Sequence, residues 1–471
     1  MKVIKADLLD ENGQIIIRKT CPIHGEFEDT YWSDSRLYRW AERYAWDGDG
    51  LSNPRTKRQK GCPYDCGICN EHKSATVLAI VDITNRCNLR CPVCFANAAA
   101  AGYLYEPTKE QIKGILENFR SNMPHPPSAL QLSGGEPTVR DDLPEIIRMA
   151  KQVGFEHIEV NTNGLRTAQN PDYIKELAEA GMDTFYLSFD GLTPEVYKSK
   201  AGVDLLQVKL KAIENARKAG LQSVVLVPVL IRGVNEKQVG DIIRFAVKNS
   251  DVIRGVNFQP VSICGRIDRE KLREMRITIP DLMKLCEDQT NGDIRESDWY
   301  PIPSCVPISK AVGAIKGRRY SEFTCHPHCG AATFIFTENE KITPLPRLGN
   351  VDGFLRVMKK TYEDASAGKK TRAKLRLMSS LRYVNHKLLP TLSSILTEGS
   401  YGALANLMHK TILIGCMHFM DPYNFDLERV QRCTIHYGVP NGHIIPFCTM
   451  NTLHRPAIEK ELSVDYRANT T

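Results

Sequence analysis

Runs of β-branched residues alternate with helical patterns between residues 75 and 262, and this alternation constrains the fold more than any other feature. The runs that predict strands cover residues 76–83, 129–132, 157–161, 184–189, 223–231 and 255–261. The helical patterns cover residues 109–119, 143–153, 171–180, 206–219 and 239–248. Such alternation predicts a parallel sheet, and six units suit an open, partial (β/α)6 barrel better than a closed eightfold one. Because parallel barrels carry their chemistry at the C-terminal ends of the strands, we expect a site in the loops after these runs.

The chain has 471 residues, enough for two or three domains and a large buried core. Its 42% hydrophobic and 25% charged residues exclude a disordered, fibrous or coiled-coil chain. We predict a small cysteine-rich, iron-binding module over residues 1–74, an α/β core over residues 75–262 and a less regular C-terminal domain over residues 263–471.

Apolar segments in this sequence are short. The longest uninterrupted runs, residues 224–231 and 411–417, fall far below the ~20 residues that a helix needs to cross a bilayer. Met1 is followed by charged residues rather than by the apolar core of a signal peptide. These features predict a cytoplasmic protein.

Cysteine is unusually frequent, with 15 residues in the chain. In a reducing compartment, spaced cysteines indicate metal binding or catalysis rather than disulfides. Cys87, Cys91 and Cys94 follow the first predicted strand with the spacing Cys-x3-Cys-x2-Cys. Three thiolates can hold a [4Fe–4S] cluster with one iron left open for a substrate or cofactor. The alternative is a zinc loop, but zinc sites usually pair one Cys-x2-Cys with a second such pair or with histidines.

The second predicted strand ends in the sequence Gly-Gly-Glu-Pro at residues 134–137. Paired glycines let backbone atoms approach a ligand closely, and Glu136 can receive an ammonium group. Taken alone this sequence is only a turn. Its position at the end of the strand after a three-cysteine loop makes it more informative.

With these two motifs the chain resembles the radical S-adenosylmethionine (SAM) superfamily over roughly residues 76–262. The resemblance implies that the three cysteines bind a [4Fe–4S] cluster whose open iron chelates SAM. It also implies that the methionine amine is bordered by Gly134, Gly135 and Glu136. At the ends of the next two strands, the positions that look like contacts to the SAM sugar and carboxylate are Asn161, Asn163, Ser188 and Asp190, which are otherwise ordinary turn residues. In this superfamily the reductive cleavage of SAM yields a 5′-deoxyadenosyl radical that removes hydrogen from the substrate.

Seven further segments resemble the archaeal tetraether lipid synthase group, namely residues 62–73, 94–100, 102–108, 325–330, 416–424, 433–437 and 445–448. This resemblance implies auxiliary iron–sulfur clusters and a rubredoxin-like iron site near the N-terminus. It implies a membrane lipid substrate, whose alkyl chain ends are joined by a carbon–carbon bond. The expected function is therefore lipid coupling in tetraether biosynthesis, with a small electron donor such as a ferredoxin or flavodoxin.

Two alternatives stay open beside lipid coupling. The first is a radical SAM methyltransferase that acts on a pterin of the 7,8-dihydro-6-hydroxymethylpterin type. It predicts a small polar pocket next to SAM, whereas lipid coupling predicts a long apolar tunnel. The second is a non-enzymatic iron–sulfur electron carrier, which is disfavoured because a carrier needs no SAM site.

The number of cysteines outside the core predicts further metal sites in the flanking regions. Apart from the triad, and from Cys264 and Cys286, which lie in no motif, ten cysteines remain: Cys21, Cys62, Cys66, Cys69, Cys305, Cys325, Cys329, Cys416, Cys433 and Cys448. Two auxiliary [4Fe–4S] clusters would use eight of them. The other two would supply half of a four-cysteine site. The segment from Cys21 to His24 is then either part of a mononuclear iron site or a remnant of one.

Basic residues concentrate in residues 356–387, which contain ten Lys and Arg against two acidic residues. Apolar residues lie between the cations from Lys369 to Arg382, which predicts a cationic helix on an anionic membrane surface. The following residues, 388–414, would line a path for lipid chains. A solvated charged face is the alternative, and nucleic acid is excluded as a partner because no RNA-binding domain is recognisable. The expected localisation is cytoplasmic and peripheral to the inner face of the membrane.

Overall fold

The computed structural model describes residues 3–98, 101–265, 272–338, 340–385 and 410–463. Its strands are β1 (Ala6–Glu11), β2 (Gln14–Cys21), β3 (Gly25–Trp32), β4 (Leu78–Thr84), β5 (Ala129–Gly134), β6 (His157–Thr162), β7 (Thr184–Ser188), β8 (Val224–Val227), β9 (Val229–Leu230), β10 (Ile253–Pro260), β11 (Tyr300–Pro301), β12 (Gly330–Glu338), β13 (Lys341–Pro344), β14 (Thr411–Met417), β15 (Ile435–Gly438) and β16 (Ile444–Pro446). Its α-helices are α1 (Ser35–Glu42), α2 (Lys109–Arg120), α3 (Leu143–Val153), α4 (Leu165–Gln169), α5 (Pro171–Ala180), α6 (Pro194–Ala201), α7 (Leu206–Lys218), α8 (Val239–Lys248), α9 (Leu272–Met275), α10 (Ile279–Gln289), α11 (Val306–Lys316), α12 (Val351–Ser366), α13 (Lys370–Ser380), α14 (Leu427–Gln431), α15 (Phe447–Thr449) and α16 (Arg455–Glu461).

Two sheets organise these elements. Strands β1 to β3 form an antiparallel sheet near the N-terminus. The larger sheet has the strand order β11-β12-β14-β10-β8-β7-β6-β5-β4-β15-β16, and every pair from β14 to β15 in that order is parallel. Within the described residues, its two ends do not pair with each other. The expected open, partial barrel with helices on its outside is therefore confirmed.

The parallel part of the sheet is wider than the sequence predicted. Strand β14 pairs with β10 at one side, and β15 pairs with β4 at the other. Both come from the C-terminal third of the chain, after long connections, so the local alternation of strands and helices did not reveal them. The apolar run at residues 411–417 is strand β14. The predicted strand 223–231 is divided into β8 and β9 at Pro228, which has no N–H to give to a ladder.

Strands β5, β6 and β7 present two different faces. One face packs against the surrounding helices and is fully buried: Leu130, Leu132, Ile158, Val160, Phe185 and Leu187. Side chains alternate along a strand, so the intervening residues face the inside of the barrel: Gln131, Ser133, Glu159, Asn161, Tyr186 and Ser188. Strand β10 adds Asn257 and Gln259, whose amides donate to the Tyr186 hydroxyl oxygen at 2.6 and 3.2 Å. We call these eight residues the polar lumen.

The basic segment forms α12, α13 and the turn after them. Arg376 of α13 pairs with Asp364 of α12 at 2.7 Å, so part of the positive charge is neutralised within the protein. Leu375 and Met378 remain 69% and 64% exposed between the cations. No helix in the described ranges is long and apolar enough to span a membrane. Docking on a membrane surface stays a prediction, and residues 388–409 of the proposed lipid path lie outside the described residues.

Candidate active site

The loop after β4 places Cys87, Cys91 and Cys94 at the C-terminal end of the barrel. Burial, together with the charges of Glu136, Cys91 and Cys94, raises the pKa of the Cys87 thiol to about 12. Burial also raises the pKa of Cys91, whereas the positive charge of Lys200 lowers it. A coordinated metal deprotonates such thiols outright. The spacing of these three cysteines on one loop fits the three-cysteine ligation of a [4Fe–4S] cluster. Among the described residues, no three Cys, His, Asp or Glu side chains are arranged to hold a metal ion, so the assignment rests on this spacing.

The glycine pair after β5 fits closely against this cysteine loop. A Cβ on Gly134 would collide with the Thr84 carbonyl, and one on Gly135 would collide with the Arg86 carbonyl. Gly134 also has a φ of +140°, which side-chain-bearing residues rarely adopt. The Gly135 N–H donates to the Thr84 oxygen at 2.8 Å, and the Glu136 N–H to the Arg86 oxygen at 2.9 Å. The glycines therefore hold the backbone that leads into the cysteine triad.

Glu136 is buried, with 1% of its surface exposed, and it joins β5 to β6. Its Oε1 accepts hydrogen bonds from the Thr138 N–H at 3.1 Å and from the hydroxyls of Thr138 and Thr162 at 2.5 and 2.6 Å. Its Oε2 accepts only the Asn163 N–H, at 2.7 Å, among the described residues. A carboxylate oxygen has two lone pairs, so Oε2 keeps the capacity to accept a donor such as an ammonium group.

Two of the remaining predicted SAM contacts, Asp190 and Asn163, lie next to lysines that the sequence did not single out. Asp190 pairs with Lys200 at 2.8 Å, and the backbone oxygen of Asn163 accepts the Lys209 ammonium at 2.6 Å. Burial lowers the pKa of Lys209 to about 8, while nearby Asp190 acts in the opposite direction. These lysines supply positive charge beside Cys91, but nothing in the sequence around them marks a site. Asn161 and Ser188, by contrast, belong to the polar lumen.

A second group of thiols lies in the N-terminal region, before β4. Cys62, Cys66 and Cys69 line one cavity, and burial, with the charges of Cys62 and Cys69 adding to it, raises the pKa of Cys66 to about 12. Their spacing, Cys-x3-Cys-x2-Cys, is the same as that of the triad. This repeated spacing was available in the sequence as a signal for a second three-thiol loop.

A third group combines cysteines from four places in the C-terminal region: Cys305, Cys325, Cys329, Cys433 and Cys448. Burial raises the pKa of Cys325, and the charges of Cys329, Cys305 and Cys433 raise it further. Cys448 acts on Cys433 in the same way. Buried Arg429 donates to the Cys329 sulfur at 3.4 Å, which places a fixed positive charge next to this group. Five such thiols provide enough ligands for one cluster that is held by four cysteines.

Two of the predicted metal ligands lie apart from these groups. Strand β14 directs Cys416 into the helix-covered core, where it is fully buried, and burial together with the charge of Cys286 of α10 raises the pKa of its thiol. The structure thus separates Cys416 from the five C-terminal cysteines with which the sequence grouped it. Cys21 lies on the small sheet with its sulfur 3.4 Å from Nδ1 of His24.

Similarity to known proteins identifies the family of this chain. The profile of the Radical SAM superfamily matches residues 81–246. The chain is 48% identical, over 98% of its length and 94% of the relative's, to the 7,8-dihydro-6-hydroxymethylpterin dimethyltransferase of Methanocaldococcus jannaschii. This chain belongs to the radical SAM superfamily. The cofactors of that superfamily, a [4Fe–4S] cluster and SAM, agree with the predicted ones.

Other similarities of this radical SAM enzyme cover less of the chain. Residues 1–33 match a domain described as the HMPTM N-terminal zinc ribbon domain. The GTP 3′,8-cyclase of Limosilactobacillus fermentum is 31% identical over 47% of this chain and 63% of its own length. Among solved structures, Streptococcus suis SuiB is 18% identical over 47% of this chain and 48% of that chain, with a TM-score of 0.38. The hydrogenase maturase HydG of Carboxydothermus hydrogenoformans is 16% identical over 47% and 53%, with a TM-score of 0.37.

The prediction of tetraether lipid coupling is wrong. A relative that matches nearly the whole chain carries the name of a pterin dimethyltransferase and not of a lipid synthase. Most of the segments that suggested lipid coupling contain cysteines and their neighbours, so they indicate cluster binding rather than a substrate. The lumen strands also oppose the prediction, because polar side chains occupy the positions where an apolar tunnel would need hydrocarbon.

Proposed function

We propose that this enzyme is a radical SAM methyltransferase that acts on a reduced pterin of the 7,8-dihydro-6-hydroxymethylpterin type. The 48% identity with the Methanocaldococcus jannaschii pterin dimethyltransferase carries the proposal. Because it extends over 98% of this chain, the similarity includes the lumen and both flanking regions as well as the cofactor-binding core.

The polar lumen supports a pterin as the substrate. A pterin is a flat bicyclic ring with hydrogen-bond donors and acceptors around its pyrimidinone half. Ligand sites fix such rings through a few well-placed polar groups, and the lumen offers amides, hydroxyls and one carboxyl from four strands. An alkyl chain would leave the Glu159 carboxyl and the Gln131 carboxamide, which have no hydrogen-bond partner among the described residues, unsatisfied at a cost of about 1–3 kcal/mol for each buried group.

Different residues of the chain would bind the radical SAM cluster, the SAM molecule and the auxiliary clusters. A [4Fe–4S] cluster with SAM supplies a 5′-deoxyadenosyl radical that abstracts hydrogen. We assign the cluster to Cys87, Cys91 and Cys94, and the methionine end of SAM to the free acceptor site of Glu136. The groups at Cys62–Cys69 and around Cys325 would hold auxiliary clusters. A ferredoxin or flavodoxin is the proposed electron donor.

Anaerobic incubation of the reconstituted enzyme with SAM, reductant and 7,8-dihydro-6-hydroxymethylpterin tests the proposal. We expect methylated pterin by mass spectrometry, together with 5′-deoxyadenosine. SAM labelled with ¹³C in its methyl group shows whether the transferred carbon comes from SAM or from another one-carbon donor. Production of 5′-deoxyadenosine without any methylated pterin would contradict the proposal.

A further inference from the structure

Glu159 is the one acidic residue of the polar lumen. It lies in the middle of β6, in register with Gln131 of β5 and Thr184 of β7. Its neighbours along the strand, Ile158 and Val160, are fully buried on the helix-covered face. Glu159 itself keeps partial exposure on the opposite face, as the alternating burial of β6 shows. The carboxyl group therefore lies on the inner face of the sheet and is partly exposed there.

No group in the described part of the chain offers this carboxyl a hydrogen bond or an ion pair. Burial alone raises its pKa to about 8. The other carboxylates near the mouth of the barrel are satisfied: Asp82 by Arg455 at 2.6 Å, and Asp190 by Lys200 at 2.8 Å. Proteins give their buried polar groups hydrogen-bond partners, so a carboxyl without one on the inner face of the barrel indicates a ligand that brings its own donors.

The residues around Glu159 indicate which hydrogen-bonding groups that ligand must carry. No described residue hydrogen-bonds to the Gln131 carboxamide either, and Gln131 lies directly beside Glu159 on the next strand. A carboxylate accepts two parallel N–H donors, and a carboxamide can give a donor to a neighbouring carbonyl. The pyrimidinone edge of a pterin presents this set in order: the 2-amino group, N3–H and the 4-carbonyl oxygen.

We propose that Glu159 binds the 2-amino and N3–H edge of the substrate pterin inside the barrel, beside Gln131. The inference rests on the proposed function, since it assigns a position to that substrate. Asn163, just after β6, follows Glu159 by four residues, or roughly 13 Å along the chain at ~3.3 Å per residue. A ring held at Glu159 therefore directs its opposite edge toward the mouth, where the cysteine triad lies.

Equilibrium binding to the reconstituted enzyme with SAM bound tests this assignment. The probes are 7,8-dihydro-6-hydroxymethylpterin and its lumazine analogue, in which a 2-oxo group replaces the 2-amino group. We expect the wild type to prefer the pterin by roughly 10- to 100-fold, the range for a hydrogen-bonded charged group. Glu159→Gln should lose most of this preference. Glu156→Gln, the same change at an exposed residue just before β6, should keep it.

Each outcome of this experiment has one reading. If the wild type binds no pterin, the proposed function fails and the assignment of Glu159 fails with it. If the wild type binds the pterin and Glu159→Gln keeps the preference over lumazine, only the assignment is overturned. If Glu159→Gln does not fold, as shown by its iron content and circular dichroism, Glu159→Asp decides. That variant keeps the carboxylate, so it should bind more weakly and still prefer the pterin.

Discussion

Replacement of Glu159 by Gln should stabilise the free enzyme, and the gain should depend on pH. Burial raises the pKa of Glu159 from the ordinary 4.5 to about 8, so between these values the folded protein keeps a proton that the unfolded chain releases. Folding stability from this group is therefore lost as the pH rises from 4.5 through 8. Glutamine does not titrate, so its advantage should grow over the same interval and level off above pH 8. The groups that face Glu159 from its neighbours, Gln131, Thr184 and the hydroxyl of Tyr186, carry no charge in this range.

The size of this effect follows from the same pKa. A change from 4.5 to about 8, at 1.36 kcal/mol per pKa unit, sets an upper bound of about 5 kcal/mol at pH 8. Water that reaches the carboxyl from the lumen lowers the cost of its charge, so we expect about 2–5 kcal/mol. Thermal melts of wild type, Glu159→Gln and Glu156→Gln, taken anaerobically from pH 5.5 to 8.5, measure it. A difference in midpoint that stays constant across this pH range would refute an uncompensated carboxyl at Glu159.

Three further predictions concern the cysteines and one buried ion pair. Simultaneous Ala substitution of Cys87, Cys91 and Cys94 should abolish 5′-deoxyadenosine formation while part of the iron remains. If 5′-deoxyadenosine still forms, the assignment of the cluster to these residues is wrong. Arg455→Met should cost about 3–5 kcal/mol in denaturant melts, because it leaves Asp82 and Glu459 buried without their partner. Cys416→Ser should keep the full iron content whereas Cys433→Ser should lower it, and equal losses would contradict the separation of Cys416 from the five-cysteine group.

The fold was predictable where neighbouring strands are also neighbours in the sequence. The six runs between residues 76 and 261 became β4 to β10, and strands from successive runs pair with each other in the sheet. Strands β14 and β15 were not predicted as part of this sheet, because a sheet edge can accept a strand from anywhere in the chain. Their neighbours, β10 and β4, lie more than 150 and 350 residues away in sequence.

The site was predictable to the extent that spacing determines proximity. Cys87, Cys91 and Cys94 share one loop after β4, and Gly134 to Glu136 contact the start of that loop because β5 is adjacent to β4. Cys416 shows the limit of counting. Its thiol faces the core because strand residues alternate, and Ile414, two residues before it, faces the same way. Lys209 was not predicted because a single lysine on a helix carries no motif, although burial next to Asn163 makes it part of the site.

The choice between a lipid and a pterin depends on residues that were visible in the sequence from the start. Both substrates fit the same cysteine motifs, so the cluster-binding residues cannot separate them. The lumen can, because polar and apolar residues alternate from Leu130 to Ser133 in β5, from His157 to Asn161 in β6 and from Thr184 to Ser188 in β7. A lipid-coupling barrel would need hydrocarbon on both faces of these strands, whereas a barrel for a heterocycle needs it only on the outer face. The alternation of polar and apolar residues between Gln131 and Ser188 reflects the substrate as well as the fold. Its polar inner face argues for the pterin.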